Sequence, residues 1–146
     1  MKVVVIDGQG GKMGKGVIEQ LTQSKPEGME IYAIGTNGNA TAAMMKAGAD
    51  YGATGENPVV VACRDADVII GPIGIVIADS LLGEVTPKMV CAVGQSRASK
   101  FLLPVNKCHT KVIGLRSINM AEMIRECVEE VLLLDAVSDI MQPGRR

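Results

Sequence analysis

Apolar residues in this chain fall into two kinds of run. Short unbroken stretches rich in Val and Ile, at residues 3–6 and 67–70, are too short for helices and fit strands buried on both faces, as parallel strands are. Between them the spacing changes. Met13, Val17, Ile18 and Leu21 recur at helical intervals, which predicts a helix from Gly11 to about Ser24, ended by Pro26, which restricts Lys25. A second strand is expected at residues 31–34, a short helix at 40–46 and a short third strand within 49–55. One or two helical turns are expected at 57–63, with Pro58 near their start. Residues 75–82 and 88–93 read as pieces of one or two helices, interrupted at Gly83 and Pro87. Further strands are expected at 101–105 and 111–115.

The last element carries the clearest signal. Asn119 and Glu122 stand at capping-box spacing. Met120, Met123, Ile124, Cys127, Val128, Val131 and Leu132 then form one apolar stripe. Leu133, Leu134, Val137, Ile140 and Met141 lie partly off it. A helix over 117–141 with a second apolar face predicts a homo-oligomer, with a dimer contact there.

Strand and helix alternating in this order argue for an open parallel sheet with helices on both faces. The expected fold is a single three-layer Rossmann-like α/β domain over residues 1–146, with strand order 3-2-1-4-5. Only about five residues separate the last two expected strands, and a parallel crossover needs a dozen or more. That pair is therefore expected as an antiparallel hairpin, giving a mostly parallel sheet with an antiparallel edge strand.

In such a sheet the first strand-to-helix turn lies where ligands bind. Here it reads Asp7-Gly8-Gln9-Gly10-Gly11-Lys12-Met13-Gly14. Helix N-termini hold unpaired N–H groups and a partial positive charge, so they attract anions, and glycines let backbone come close. Strict GxGxxG is not met, because residue 13 is Met. The glycines Gly8, Gly11 and Gly14 fall every third residue instead. That spacing, with GGKMG inside it, resembles the turn of dihydrodipicolinate reductases and some other nicotinamide-dependent reductases. A P-loop fits less well: the spacing is one residue too long, and Gly16 stands where Ser or Thr would hold Mg²⁺. The acidic residue that usually binds the adenosine ribose at the end of the second strand is replaced by Gly35-Thr36-Asn37.

The expected cofactor is therefore a nucleotide, NAD(P) first. Gly8, Gly10 and Gly11 with the following helix would cradle phosphates, flanked by Gln9, Lys12 and Met13, and Gly14 at the same cofactor-binding turn would let helix and strand pack closely. Thr36 and Asn37 would face the ribose, and the GPIG segment Gly71, Pro72, Ile73 and Gly74 the far half. A tight turn made for packing explains either glycine cluster without a ligand. His109 is the single histidine and the natural acid–base candidate, although an exposed hairpin position is the favoured explanation. Cys108 beside it would point to the opposite face of a strand. No constellation specifies one reaction.

Composition narrows the rest. Two Tyr, one Phe and no Trp leave nothing to build a base-stacking platform. A net charge of -1 gives no field for nucleic acid. Cys63, Cys91, Cys108 and Cys127 are too scattered for a zinc site and read as small buried hydrophobes in a reducing compartment. With no apolar run long enough to span a bilayer and no leader pattern, a cytoplasmic protein is expected, with neither membrane nor nucleic acid as partner.

Over nearly its whole length the chain resembles a bacterial family catalogued as domain of unknown function 3842. The segments that carry the likeness are VIDGQGGKMGK (5–15), IGTNGNATAAMMKAGAD (34–50), GATGEN (52–57), DVIIGPIGIV (67–76), LLGEVTPKM (81–89) and LLPVNKC (102–108). The resemblance implies a Rossmann-like domain and brings no activity or catalytic residues with it. Three classes of function stay open: a nucleotide-sensing module, an NAD(P)-dependent oxidoreductase, and a structural oligomer without a ligand.

Overall fold

A computed structural model describes residues 1–105 and 109–144. Five strands form one sheet: β1 (Lys2–Asp7), β2 (Glu30–Gly35), β3 (Tyr51–Thr54), β4 (Val68–Pro72) and β5 (Ser99–Leu103). They lie in the order β3-β2-β1-β4-β5. Every pair is parallel, with Val5 opposite both Ala33 and Ile70. The expected order of the first five strands is thus found, and the expected antiparallel edge is not.

The correction has a physical cause. β5 pairs with β4 in parallel, Val68 opposite Ser99 and Pro72 opposite Leu103. Residues 111–115 form no strand. Gly114 there has φ +88, outside the extended region, and Ile113 is 83% exposed. An apolar run with a left-handed glycine in it cannot continue a ladder, so the last two expected strands make no hairpin. Residues 75–82 also differ from expectation. Only a single 3-10 turn, Ile73–Val76, forms there, followed by consecutive turns.

The helices are α1 (Lys12–Gln23), α2 (Gly38–Lys46), α3 (Glu56–Cys63), α4 (Pro87–Gln95) and α5 (Met120–Met141). Alternation along β1 sorts them into layers. Val3 and Val5 face a core with α1, Met44 of α2 and Val128 and Val131 of α5. Val4 and Ile6 face the opposite core with Val59 of α3 and Met89 and Val93 of α4. β1 and β4 are buried on both sides, so they carry no polar face.

The helix starts follow from single residues. Asn37 accepts from Ala40 N–H and caps α2, and Thr86 accepts from Met89 N–H and caps α4. Asn119 and Glu122 close a full capping box on α5. Beyond the core, α5 exposes Leu133, Val137, Ile140 and Met141. No helix among the described residues is long and apolar enough to cross a membrane.

Candidate functional site

The turn after β1 is tight. Gly11 N–H donates to Gly8 carbonyl at 2.9 Å, with Gln9 at φ +50 and Gly11 at φ +70. α1 has no side-chain cap at Gly11. Its cap comes from within the sheet: Asp7 Oδ2 accepts from Gly14 N–H and Oδ1 from Gly8 N–H, both at 2.8 Å. Asp7 is only 6% exposed. Burial pushes its carboxyl above the usual carboxylate range, the N–H groups of Gly14 and Gly8 oppose that, and the charge of Glu84 adds to it.

α1 and α2 begin side by side. A Cβ on Gly11 would lie 2.8 Å from Ala40 Cα, and one on Gly14 would lie 2.5 Å from Met44 Sδ. The glycine spacing therefore serves helix packing first. Gly10 differs. It is exposed, and nothing lies within 4 Å of a Cβ built on it. The N–H groups of Gly10 and Lys12 find no protein partner among the described residues. Lys12 is exposed, while Met13 is buried in the core and does not line the mouth.

A strap formed by residues 77–86 lies over the same turn. Glu84 Oε2 accepts from Gln9 N–H at 2.9 Å. Glu84 Oε1 accepts from Asn37 Nδ2, which also donates to Gln9 carbonyl at 2.8 Å. A Cβ on Gly8 would meet Thr36 Oγ1 at 2.5 Å, Leu81 Cδ1 at 2.8 Å and Glu84 Oε2 at 3.2 Å. Thr36 Oγ1 is itself fully shielded and has no hydrogen-bond partner among the described residues, although Thr36 N–H donates to Asp7 carbonyl.

The GPIG segment ends β4 beneath the strap. Gly71, Pro72 and Gly74 are buried and Ile73 is half-buried. A Cβ on Gly71 would lie 2.8 Å from Ile6 carbonyl oxygen, and one on Gly74 would lie 3.0 Å from Ser80 Oγ. Leu81 reaches both loops, because its Cδ2 lies 3.8 Å from the Gly74 Cβ position. The structure thus gathers Gly8, Gln9, Thr36, Asn37 and Gly74 around Leu81 and Glu84. Neither Leu81 nor Glu84 is among the site residues expected from the sequence.

His109 is exposed with φ +59, and no contact around the turn involves it among the described residues. Cys108 lies outside the described residues. Burial pushes the Cys63 thiol up to about 11 and the Cys127 thiol up to about 12, which removes the thiolate that reactivity needs. Among the described residues, no group of three or more His, Cys, Asp or Glu could hold a metal ion.

The strap is strained. Asp79, Leu81 and Leu82 have φ of +63, +54 and +57. Leu82 is 98% exposed, so its side chain contributes no packing to offset this. A left-handed non-glycine costs about 1–2 kcal/mol and glycine's extra chain entropy about 0.5–1. Leu82→Gly is therefore expected to raise stability by roughly 0.5–1 kcal/mol, read from the urea midpoint at unchanged slope.

A model of the family described as Domain of unknown function (DUF3842) matches residues 2–135. No curated protein matches the chain. Among solved structures, the crystal structure of a dodecameric FMN-dependent UbiX-like decarboxylase from Escherichia coli O157:H7 is similar over 93% of this chain and 95% of that chain. The identity is 14% and the TM-score 0.43, too distant to argue ligand or assembly.

Proposed function

The chain belongs to that DUF3842 family, and from this premise, which brings no activity with it, we propose that the protein binds a phosphate-bearing nucleotide, NAD(P) being the first candidate. The site is the mouth between the N-termini of α1 and α2, and the protein acts there as a sensing module. One observation carries the reading. Two adjacent helix starts, each a partial positive charge, flank exposed Gly10, which has open space beside its Cα and whose N–H, like that of Lys12, makes no hydrogen bond among the described residues. The shielded, unpartnered hydroxyl of Thr36 beside them supports it, since such groups are rare without a purpose.

A dinucleotide fits in part. Gly10, Gly11 and Lys12 would hold a phosphate, and Gln9, Thr36 and Asn37 would border it. A second half reaching Gly71, Pro72, Ile73 and Gly74 would need the volume that Leu81 fills. Sensing is favoured over hydride transfer because both carboxylates beside the turn are engaged. Asp7 holds the backbone of α1, and Glu84 holds Gln9 and Asn37.

The test is a thermal shift with NAD⁺, NADH, NADP⁺, NADPH, ATP, GTP and S-adenosylmethionine. A ligand at about 100 times its Kd adds about 2.7 kcal/mol, which moves the midpoint by several degrees. Gly10→Asp supplies the control. Its side chain meets no neighbour and puts a negative charge at the mouth. Binding is expected to weaken at least about tenfold, about 1.4 kcal/mol, with unchanged stability without ligand. Equal affinity in both proteins would remove the mouth from the site.

A further inference from the structure

We propose that the tip of the strap, residues 81–84, is a displaceable cover, with Glu84 standing in for the anionic group of the ligand and Leu81 for its planar ring. The inference rests on the nucleotide reading above and adds how that site is regulated. Its basis is what the tip touches. The Glu84 carboxylate takes the Gln9 N–H and the Asn37 amide, two donors that a phosphate entering from Gly10 would reach next. Leu81 is buried between Gly8 of the β1 loop and Gly74 of the β4 loop. In this sheet β1 and β4 are the neighbours at which the strand order reverses, the place where α/β folds take their ligands.

The strap is anchored at its neck and cross-bonded in its tip, where Gly83 N–H donates to the Asp79 and Ser80 carbonyls at 3.1 and 3.2 Å and Glu84 N–H to the Leu81 carbonyl at 3.2 Å. Its neck is pinned by two backbone hydrogen bonds, Asp79 N–H to Val85 carbonyl at 2.8 Å and Val85 N–H to Ser80 carbonyl at 3.2 Å. Ser80 Oγ further donates to Gly74 carbonyl, and Thr86 Oγ1 donates to Glu56. Between these anchors the tip is Leu-Leu-Gly-Glu. Three of the five non-glycine residues with positive φ in the described chain are Asp79, Leu81 and Leu82. The closed tip also holds the Glu84 charge near the buried carboxyl of Asp7 and leaves Leu82 in water. Closure therefore works against strain and like charge, while the buried Leu81 side chain and the Glu84 hydrogen bonds favour it. A ligand therefore displaces the tip only by binding the open state more tightly than these closed-state contacts hold it.

Opening would expose the cleft between Gly8 and Gly74 and leave Thr36 Oγ1 facing it. The ligand class follows from what the tip replaces: a phosphate at Gln9 and Asn37, joined to a planar ring or sugar within reach of Gly74. Such a ligand gains no affinity until Glu84 leaves. The cover therefore makes occupancy depend on the latch.

Glu84→Gln keeps the shape of the latch and removes its charge, and Glu84→Asp keeps the charge and shortens the reach. Each is titrated with NAD⁺ and ATP beside the wild type, and amide hydrogen exchange is followed at residues 81–84. The expected result is at least tenfold tighter binding in both variants, with tip amides in the wild type exchanging faster once ligand is added. Equal affinities in all three proteins, or tip protection unchanged by bound ligand, would overturn the cover and leave the nucleotide reading standing. If neither probe binds any of the three, the nucleotide reading fails at these probes and the cover fails with it. Midpoints measured without ligand establish that the variants are folded.

Discussion

Gly11→Ala is expected to destabilise the protein by about 3 kcal/mol, read by urea denaturation at unchanged slope. Two costs add. Gly11 has φ +70, where a side chain costs about 1–2 kcal/mol. Its new Cβ would also stand 2.8 Å from Ala40 Cα and 2.9 Å from Ala40 carbonyl oxygen. Both neighbours are backbone of α2 and cannot rotate away, so α1 and α2 must separate, at about 1–3 kcal/mol for such overpacking. A loss under about 1 kcal/mol would mean that the helices do not meet here. The result also decides how ligand experiments are read. Any loss of binding in Gly11→Ala mixes a damaged turn with a damaged fold, whereas Gly10, with open space around it, separates them.

The layered sheet was legible because its signals are local. Val3 to Ile6 form an unbroken β-branched run, α1 has its period, and Asn119 with Glu122 announces α5. The hairpin was misread because spacing alone does not show that Gly114 is left-handed, or that β5 already has β4 as its parallel partner. The strap was misread for a related reason. Ile75, Leu81 and Leu82 carry the same apolar label, yet Ile75 and Leu81 are buried and Leu82 is 98% exposed. Their spacing mimics a helix, while positive φ at Leu81 and Leu82 excludes one. Glu84 follows Gly83 in the sequence as a charge in a turn, with nothing local to mark it. Its partner Gln9 is 75 positions away, and no local pattern encodes that distance. Asp7 was visible as the end of a strand run, but its task depends on Gly14 being carried back over it by the first turn of α1.

Asp7→Ala is expected to cost on the order of 2–4 kcal/mol in acid, because two buried N–H groups, those of Gly8 and Gly14, lose their acceptor at about 1–3 kcal/mol each. The sign of its pH dependence distinguishes this site from an ordinary capped helix. Burial holds the folded carboxyl of Asp7 above the ordinary aspartate value of 3.8. The folded state therefore binds the Asp7 proton more tightly than the unfolded chain does. That contribution is complete below pH 3.8 and is lost as pH rises through the raised folded value. The alanine variant has no such group, so its deficit against wild type is largest in acid and narrows toward neutrality. Asp50 runs the other way. Burial alone would raise it, but the Lys25 ammonium and the Ile31 N–H outweigh that and hold it low, so its stabilisation is lost as pH falls. Asp50 is present in both proteins and cancels in the difference. Denaturant titrations of the pair, from below the carboxylate range to neutral pH, read that difference directly. A deficit that widens toward neutral pH would show that the α1 N-terminus stabilises Asp7 as an anion. In that case the carboxylate already neutralises the helix end, and an incoming phosphate would be opposed there. A narrowing deficit shows that burial outweighs the helix end and the two N–H donors at Asp7.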